Sequence, residues 1–305
     1  MIRKQGEYMT FRRILFICLG LTILGTVYIS NIDSHPADPY IQDEQTDNVD
    51  PLNKRKNTYN RYYHTNKMSL NKDEYVPSLK VQLDQSEKTF QNMNIVTFGD
   101  SLTEGIGTAY NQGGFVSVLE RTINEDEKVA SFTNYGKLGE QTTDLRRRLN
   151  KPSVQQSIER ANIIILTVGA NDMIKVIKEN FFHVTLELFH DERNRFENRL
   201  GRIFKKIEEL NPKVHIYMIG FYNPFEQDFN HIPEFEQIIS SWNKASEQVT
   251  EKNNNRTYVP IHDIFSHNPS LLSEDYFHPN EKGYLKIAER LLKHFKKEEG
   301  EQNEL

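Results

Sequence analysis

The chain has 305 residues and a formal net charge of −5, a balance that offers no electrostatic footprint for nucleic acid and argues against a polyanion partner. Its single cysteine, Cys18, lies inside an apolar run. No intrachain disulfide, cysteine-based metal site or cysteine nucleophile can therefore be built.

In chain order, Arg3, Lys4, Arg12 and Arg13 precede the run ILFICLGLTILGTVYI, residues 14–29, after which the chain turns polar. At about 1.5 Å per residue the run is slightly short for a hydrocarbon core of about 30 Å, so a cleaved signal peptide is the alternative to a retained span. Tyr28 stands two residues before Ser30 and Leu24 two before Thr26, so no small-x-small pair marks a cleavage point and retention is favoured. Bulky Ile17 before Cys18 argues for packing rather than lipoprotein processing. The basic head stays inside, which places residues 33–305 outside. Residues 1–32 are thus read as a cytoplasmic head and signal anchor in the cell membrane, with secretion after cleavage as the alternative. Residues 33–90 are polar, with no sustained periodicity, and read as a largely disordered tether. Within them, residues 78–90 read as a short element docking on the domain that comes after.

A globular domain is expected over 91–298, with a charged tail at 299–305. Apolar runs at 94–99, 130–136, 162–169, 213–220 and 256–261 read as strands. Helical spacing of three and four recurs at 113–125, 141–149, 152–161, 193–210 and 234–253, and again in a charged last helix. Strand and helix alternate throughout, which predicts an α/β fold: a three-layer α/β/α sandwich with about five parallel strands. In this architecture functional residues collect at the carboxyl ends of strands.

FGDSLTE, residues 98–104, places Ser101 at such an end, where a serine ordinarily caps a helix. A serine becomes a nucleophile only when a base takes its proton, and a histidine held by a carboxylate serves best. Of the ten histidines, most lie in the tether, in helices or in strands. His278 differs, because SEDYFHPNEKGY sets Asp275 three residues before it in a loop; the plainer reading is a turn into a helix with Pro279 near its start. TVGANDM puts Asn171 and Asp172 after the most apolar strand, where Asn171 serves either as an N-cap or as an oxyanion donor. NYGKLGEQTTDL supplies Gly136 and Gly139, glycines fit for a turn or for a backbone N–H exposed to substrate.

Each motif alone is weak, but their order is specific: G-D-S-L at 99–102, Asn134 with Gly139 five later, G-A-N-D at 169–172, and D-x-x-H at 275–278. The pattern resembles the SGNH hydrolases, also called the GDSL lipase/esterase family, over roughly residues 93–296. The resemblance implies a flavodoxin-like sandwich, Ser101 as nucleophile, His278 as general base and Asp275 orienting it. It implies an oxyanion hole of the Ser101 and Gly139 N–H groups and the Asn171 side chain, with Gly136 close enough to compete with Gly139. No metal or cofactor is implied. Asp100 reads as a loop-organising carboxylate. Residues 219–235 come after the fourth strand and are expected to line the pocket, with Phe221, Tyr222, Asn223, Phe225 and Phe229 the residues in view, although core packing explains at least half of these aromatics.

The expected activity is an extracytoplasmic serine esterase or lipase-type acylhydrolase acting on a small-molecule or lipid ester. A cell-envelope carbohydrate O-deacetylase and a non-catalytic surface binding protein with the same fold are the alternatives. Placement outside the cell favours a lipid or polysaccharide ester over a cytoplasmic thioester.

Overall fold

The computed structural model of the chain describes residues 90–108, 113–180, 185–224, 226 and 233–302. The expected anchor and nearly all of the expected tether lie outside these residues, as do Phe225 and Phe229. Of the docking element only Phe90 is described; it is buried, with its ring edge-on to Phe295. Among the described residues no helix is long and apolar enough to cross a membrane.

Five strands form one parallel sheet: β1 (Met93–Gly99), β2 (Ala130–Gly136), β3 (Ile163–Thr167), β4 (His215–Ile219) and β5 (Arg256–Val259), in the order β2-β1-β3-β4-β5. This is the flavodoxin-like order, in which the chain switches direction of travel across the sheet between β1 and β3. The expected three-layer α/β sandwich with five parallel strands is what the chain adopts.

Burial on both faces explains why the strands read as continuous apolar runs. Successive side chains point to opposite faces. Val96, Phe98, Ile164, Leu166, Ile216 and Met218 enter one core, while Ile95, Ile163, Ile165, Tyr217, Ile219 and Val259 enter the other. The four-residue α1 (Ser101–Glu104) comes directly after β1. The second core is closed by α2 (Gly114–Ile123), the short α8 (His262–Phe265) and α9 (Glu281–Gln302). The first is closed by α3 (Thr142–Arg148), α4 (Pro152–Arg160), α5 (Ala170–Glu179), α6 (Leu186–Leu210) and α7 (Pro233–Thr250). There Phe196 stacks on Trp242 with ring centroids 4.8 Å apart, both side chains fully buried.

The elements depart most from the sequence reading at three places. α5 is an additional helix, and its apolar residues Met173, Val176 and Ile177 have helical spacing. α6 starts seven residues earlier than Arg193, because Thr185 caps it by accepting the Leu188 N–H at 3.5 Å. α9 runs through the expected charged tail as far as Gln302.

The extra length of α6 shapes the space above the sheet. Its 25 residues span about 37 Å, whereas five-residue β4 spans about 17 Å. Since α6 ends just before β4 begins, its first turns project beyond the carboxyl edge of the sheet. Together with α5 and the start of α7 they wall off space above that edge.

Candidate active site

At the end of β1, Gly99 sits so close to β3 that a Cβ there would lie 2.2 Å from the Thr167 carbonyl oxygen. This approach lets the Asp100 N–H continue the ladder to Thr167 O at 3.0 Å before the chain turns into α1. The N-cap of α1 is Asp100, whose Oδ1 accepts the Leu102 N–H at 3.0 Å and the Thr167 hydroxyl at 3.2 Å. Ser101 is therefore the first helical residue and not the cap, which corrects the N-cap reading. Its side chain is freed from capping, and its own N–H is one of those that a helix start leaves without an intrahelical acceptor.

Ser101 Oγ lies 2.9 Å from His278 Nε2. His278 Nδ1 lies 2.6 Å from Asp275 Oδ2, the shortest contact of the three-residue chain. The other carboxylate oxygen, Oδ1, accepts the N–H groups of Phe277 and His278, both at 2.9 Å, and the Ser273 hydroxyl at 2.7 Å. Tyr276 at φ 54° supplies the left-handed turn within this loop. Burial pushes the Asp275 carboxyl up. His278 outweighs it, by hydrogen bond, charge and backbone N–H, and with Ser273 holds the group well below the usual carboxylate range. An ionised Asp275 fixes the imidazole with Nδ1 protonated, so Nε2 is the acceptor that faces Ser101. Pro279 precedes α9 by two residues, and Asn280 caps that helix by accepting the Gly283 N–H at 3.1 Å.

The loop after β2 is pinned beside α1. The Lys137 N–H donates to Gly99 O at 2.9 Å, and the Leu138 N–H donates to the Glu104 carboxylate. The two glycines of this loop part company. Gly136 gives its N–H to Asn134 Oδ1 at 2.7 Å, and a Cβ on it would meet the Glu104 backbone N at 2.2 Å, so it serves close packing against α1. Gly139 has φ 76° and open space where a Cβ would sit. Asn134 also donates to Thr103 O at 2.9 Å, tying the end of β2 to α1.

Asn171 is not an N-cap either, since Gly169 at φ 127° holds that position of α5. Its Nδ2 donates to Glu140 O at 3.2 Å, which turns the amide toward the Gly139–Glu140 turn. Ser101, Gly139 and Asn171 thus come after β1, β2 and β3, three neighbouring strands, at one edge of the sheet.

Two buried ion pairs that the sequence reading missed brace these segments. Asp172 accepts the Thr142 N–H at 3.0 Å, the Thr142 hydroxyl at 2.6 Å and Arg199 Nη2 at 2.9 Å, locking the start of α5 to the start of α3 and to α6. Glu140 takes Arg148 Nη1 on both oxygens at 2.6 Å, while Arg148 Nη2 reaches Tyr135 O at 2.7 Å. Burial raises both carboxyls, offset in part by these partners. Partners 27 residues apart, as Asp172 and Arg199 are, leave no local pattern to read.

A cleft of about 820 Å³, solvent at its mouth included, opens from Ser101 and His278. Phe221 and Tyr222 are among the residues that line it. Tyr222 also stacks on Phe265 at 4.2 Å and donates its hydroxyl to Phe277 O at 2.6 Å. Burial, and after it the charges of Asp275 and Asp100, keeps that hydroxyl protonated far above its ordinary range. Asn223 lies between Tyr222 and Pro224, and its amide donates to Glu236 Oε2 at 3.2 Å. Among the described residues no cluster of three or more His, Cys, Asp and Glu side chains is arranged to hold a metal.

Asp100 is 4% exposed, and burial raises its pKa from 3.8 to about 6 against the opposing Leu102 N–H, Thr167 hydroxyl and His278 charge. A carboxyl whose folded pKa is raised stabilises the fold below its unfolded pKa and loses that contribution as pH rises through the folded one. Asp100→Asn should therefore gain stability relative to the parent between about pH 4 and pH 7, by up to roughly 3 kcal/mol. Urea unfolding at the two pH values measures this. A difference independent of pH would show that Asp100 does not titrate from a buried site.

Residues 97–286 match the GDSL-like Lipase/Acylhydrolase family. The uncharacterized protein YpmR of Bacillus subtilis (strain 168) is 33% identical over 216 residues, 69% of this chain and 84% of that protein. Spore germination lipase LipC of Bacillus licheniformis is 26% identical over 205 residues, 65% of this chain and 94% of that protein. Among solved structures, a lipase from a goat rumen metagenome shares the fold with a TM-score of 0.59 at 24% identity, over 66% of this chain and 96% of that one. The chain belongs to the GDSL-like lipase/acylhydrolase family, and with it to the carboxylic ester hydrolases.

Proposed function

We propose that the protein is a serine esterase whose nucleophile is Ser101, general base His278 and orienting carboxylate Asp275. The observation that carries this reading is the continuous hydrogen-bonded chain from Ser101 Oγ through both ring nitrogens of His278 to Asp275. Ser101 Oγ attacks the ester carbonyl carbon as His278 Nε2 takes the hydroxyl proton. Collapse of the tetrahedral intermediate expels the alcohol, which takes that proton from His278. Water then attacks the acyl-enzyme as His278 removes its proton, and the acid leaves as Ser101 regains its hydrogen. Asp275 stays ionised throughout and stabilises the imidazolium in each half-reaction.

The N–H groups of Ser101 and Gly139 and the side chain of Asn171 are the proposed oxyanion donors. Support comes from their convergence on one sheet edge and from the commitment of the Gly136 N–H to Asn134. A silent binding protein would have no chemical use for this assembly. Ester hydrolysis should be lost in Ser101→Ala. In Asn171→Ala, kcat should fall about 10²- to 10³-fold, with the fold retained by circular dichroism. Parental turnover in a folded Asn171→Ala protein would remove that residue from the oxyanion hole, and parental turnover in Ser101→Ala would sink the mechanism.

The esterase is further proposed to sit outside the cell, held by the apolar run 14–29 behind the basic residues Arg3, Lys4, Arg12 and Arg13. In a bacterial host the full chain should sediment with membranes, resist alkaline carbonate extraction, and be digested by protease added to spheroplasts. Protection from the protease would reverse the orientation, and a soluble shortened product would mean that the run is cleaved.

A further inference from the structure

The cleft beside Ser101 extends past the reacting atoms to a wall drawn from α5, α6 and α7, and its polar side chains are confined to one end. Among the described lining residues only Asp100, Ser101, Thr167, Tyr222 and His278 carry polar side chains, and each belongs to the catalytic chain or its support. Away from them the wall is apolar. Met173, Ile174 and Ile177 come from α5, Phe189 from the projecting start of α6, and Ile238 and Ile239 from α7. Phe189 stands above the carboxyl edge of the sheet because α6 is too long to end there. Among the described residues this part of the wall carries no polar side chain to hydrogen-bond a sugar hydroxyl.

We infer that this cavity is an acyl site, which takes a straight aliphatic chain of medium to long length from the ester carbon held at Ser101 and directs it along α5 toward Ile177. The inference rests on Ser101 being the acylated residue and adds the substrate class. Ile174 and Ile177 lie three and six residues beyond Asn171 on α5, so they succeed one another along the path of the chain. An acetyl ester would leave most of the apolar wall uncovered, whereas each methylene buried there adds a favourable contribution. The surface agrees with an apolar substrate body. Two of the three most exposed large hydrophobic side chains among the described residues are Leu138, next to Gly139, and Tyr276, two residues before His278.

Trp242 offers a readout independent of turnover. It is the only tryptophan in the chain, and its ring packs edge-on to Phe221, which lines the cavity, with centroids 6.4 Å apart.

The test uses the full chain purified in detergent and p-nitrophenyl esters from acetate to palmitate. For the parent, kcat/KM should rise about fourfold per added methylene until the cavity is filled. Ile177→Phe should lower the ratio of decanoate to butyrate kcat/KM at least tenfold, and Ile174→Phe should shift the preferred length to shorter chains still. To guard against a folding defect in either variant, Ser101→Ala is titrated with ω-bromodecanoate, which should quench Trp242 saturably while bromoacetate does not. Ser101-dependent hydrolysis that is fastest on acetate, or indifferent to chain length, would overturn the acyl site and leave the esterase standing. If no ester is turned over by folded protein, the Ser101 mechanism falls and the acyl site with it, and saturable quenching would then show only that the cavity binds an aliphatic chain.

Discussion

A serine hydroxyl hydrogen-bonded to an imidazole 177 residues away is the contact on which the rest of this structure depends. No local element can hold such a pair at 2.9 Å. What holds it is a sheet whose strands all run the same way, so that each strand delivers the residue after its carboxyl end to the same edge. β1 delivers Ser101, β2 Gly139, β3 Asn171, β4 Phe221 and Tyr222, and the segment after β5 delivers Asp275 and His278. The two apolar cores on either face fix the heights of the strands, and thereby fix the distances at the edge.

Positions at the edge still need finer control, and buried polar groups provide it. Asp172 with Arg199 and Glu140 with Arg148 are nearly removed from water: their carboxylate side chains are 1% and 0% exposed. Pairs of this kind contribute little net stability, because desolvation cancels much of their attraction, but removing one partner strands the other charge. Here one pair ties the first turn of α5, which bears Asn171, to α6, and the other ties the turn bearing Gly139 to α3. Their consequence is specification: the Gly139 turn and the Asn171 amide have one arrangement in which every buried charge is satisfied.

Much of this was legible in the sequence, for physical reasons. A strand buried on both faces must be apolar at every position, so the five strands announced themselves, and their alternation with helices left a parallel sheet as the solution. Asp275 and His278 were legible because the carboxylate and imidazole lie within one short loop. The place of Ser101 at the end of β1 was legible, but its neighbour's role was not: Asp100 takes the capping position because a carboxylate one residue before a helix accepts the second N–H in turn. Arg199, Thr142 and Arg148 were invisible, since they contact their partners only after α6 and α3 have docked. The different settings of Gly136 and Gly139 also needed the fold, because only the approach of Glu104 shows that Gly136 is there for space. The partner of the Asn223 amide, Glu236 on α7, was not legible for the same reason.

The central claim is that His278 and Asp275 make Ser101 a nucleophile. A fluorophosphonate probe tests this without any assumption about the natural ester, because phosphorus takes the place of the carbonyl carbon and the adduct is not readily hydrolysed. Intact mass and peptide mapping should show one phosphonyl group per chain, on the peptide containing Ser101, with labelling sharply slowed in His278→Ala. Labelling of a different residue, or none in the folded protein, would contradict the account.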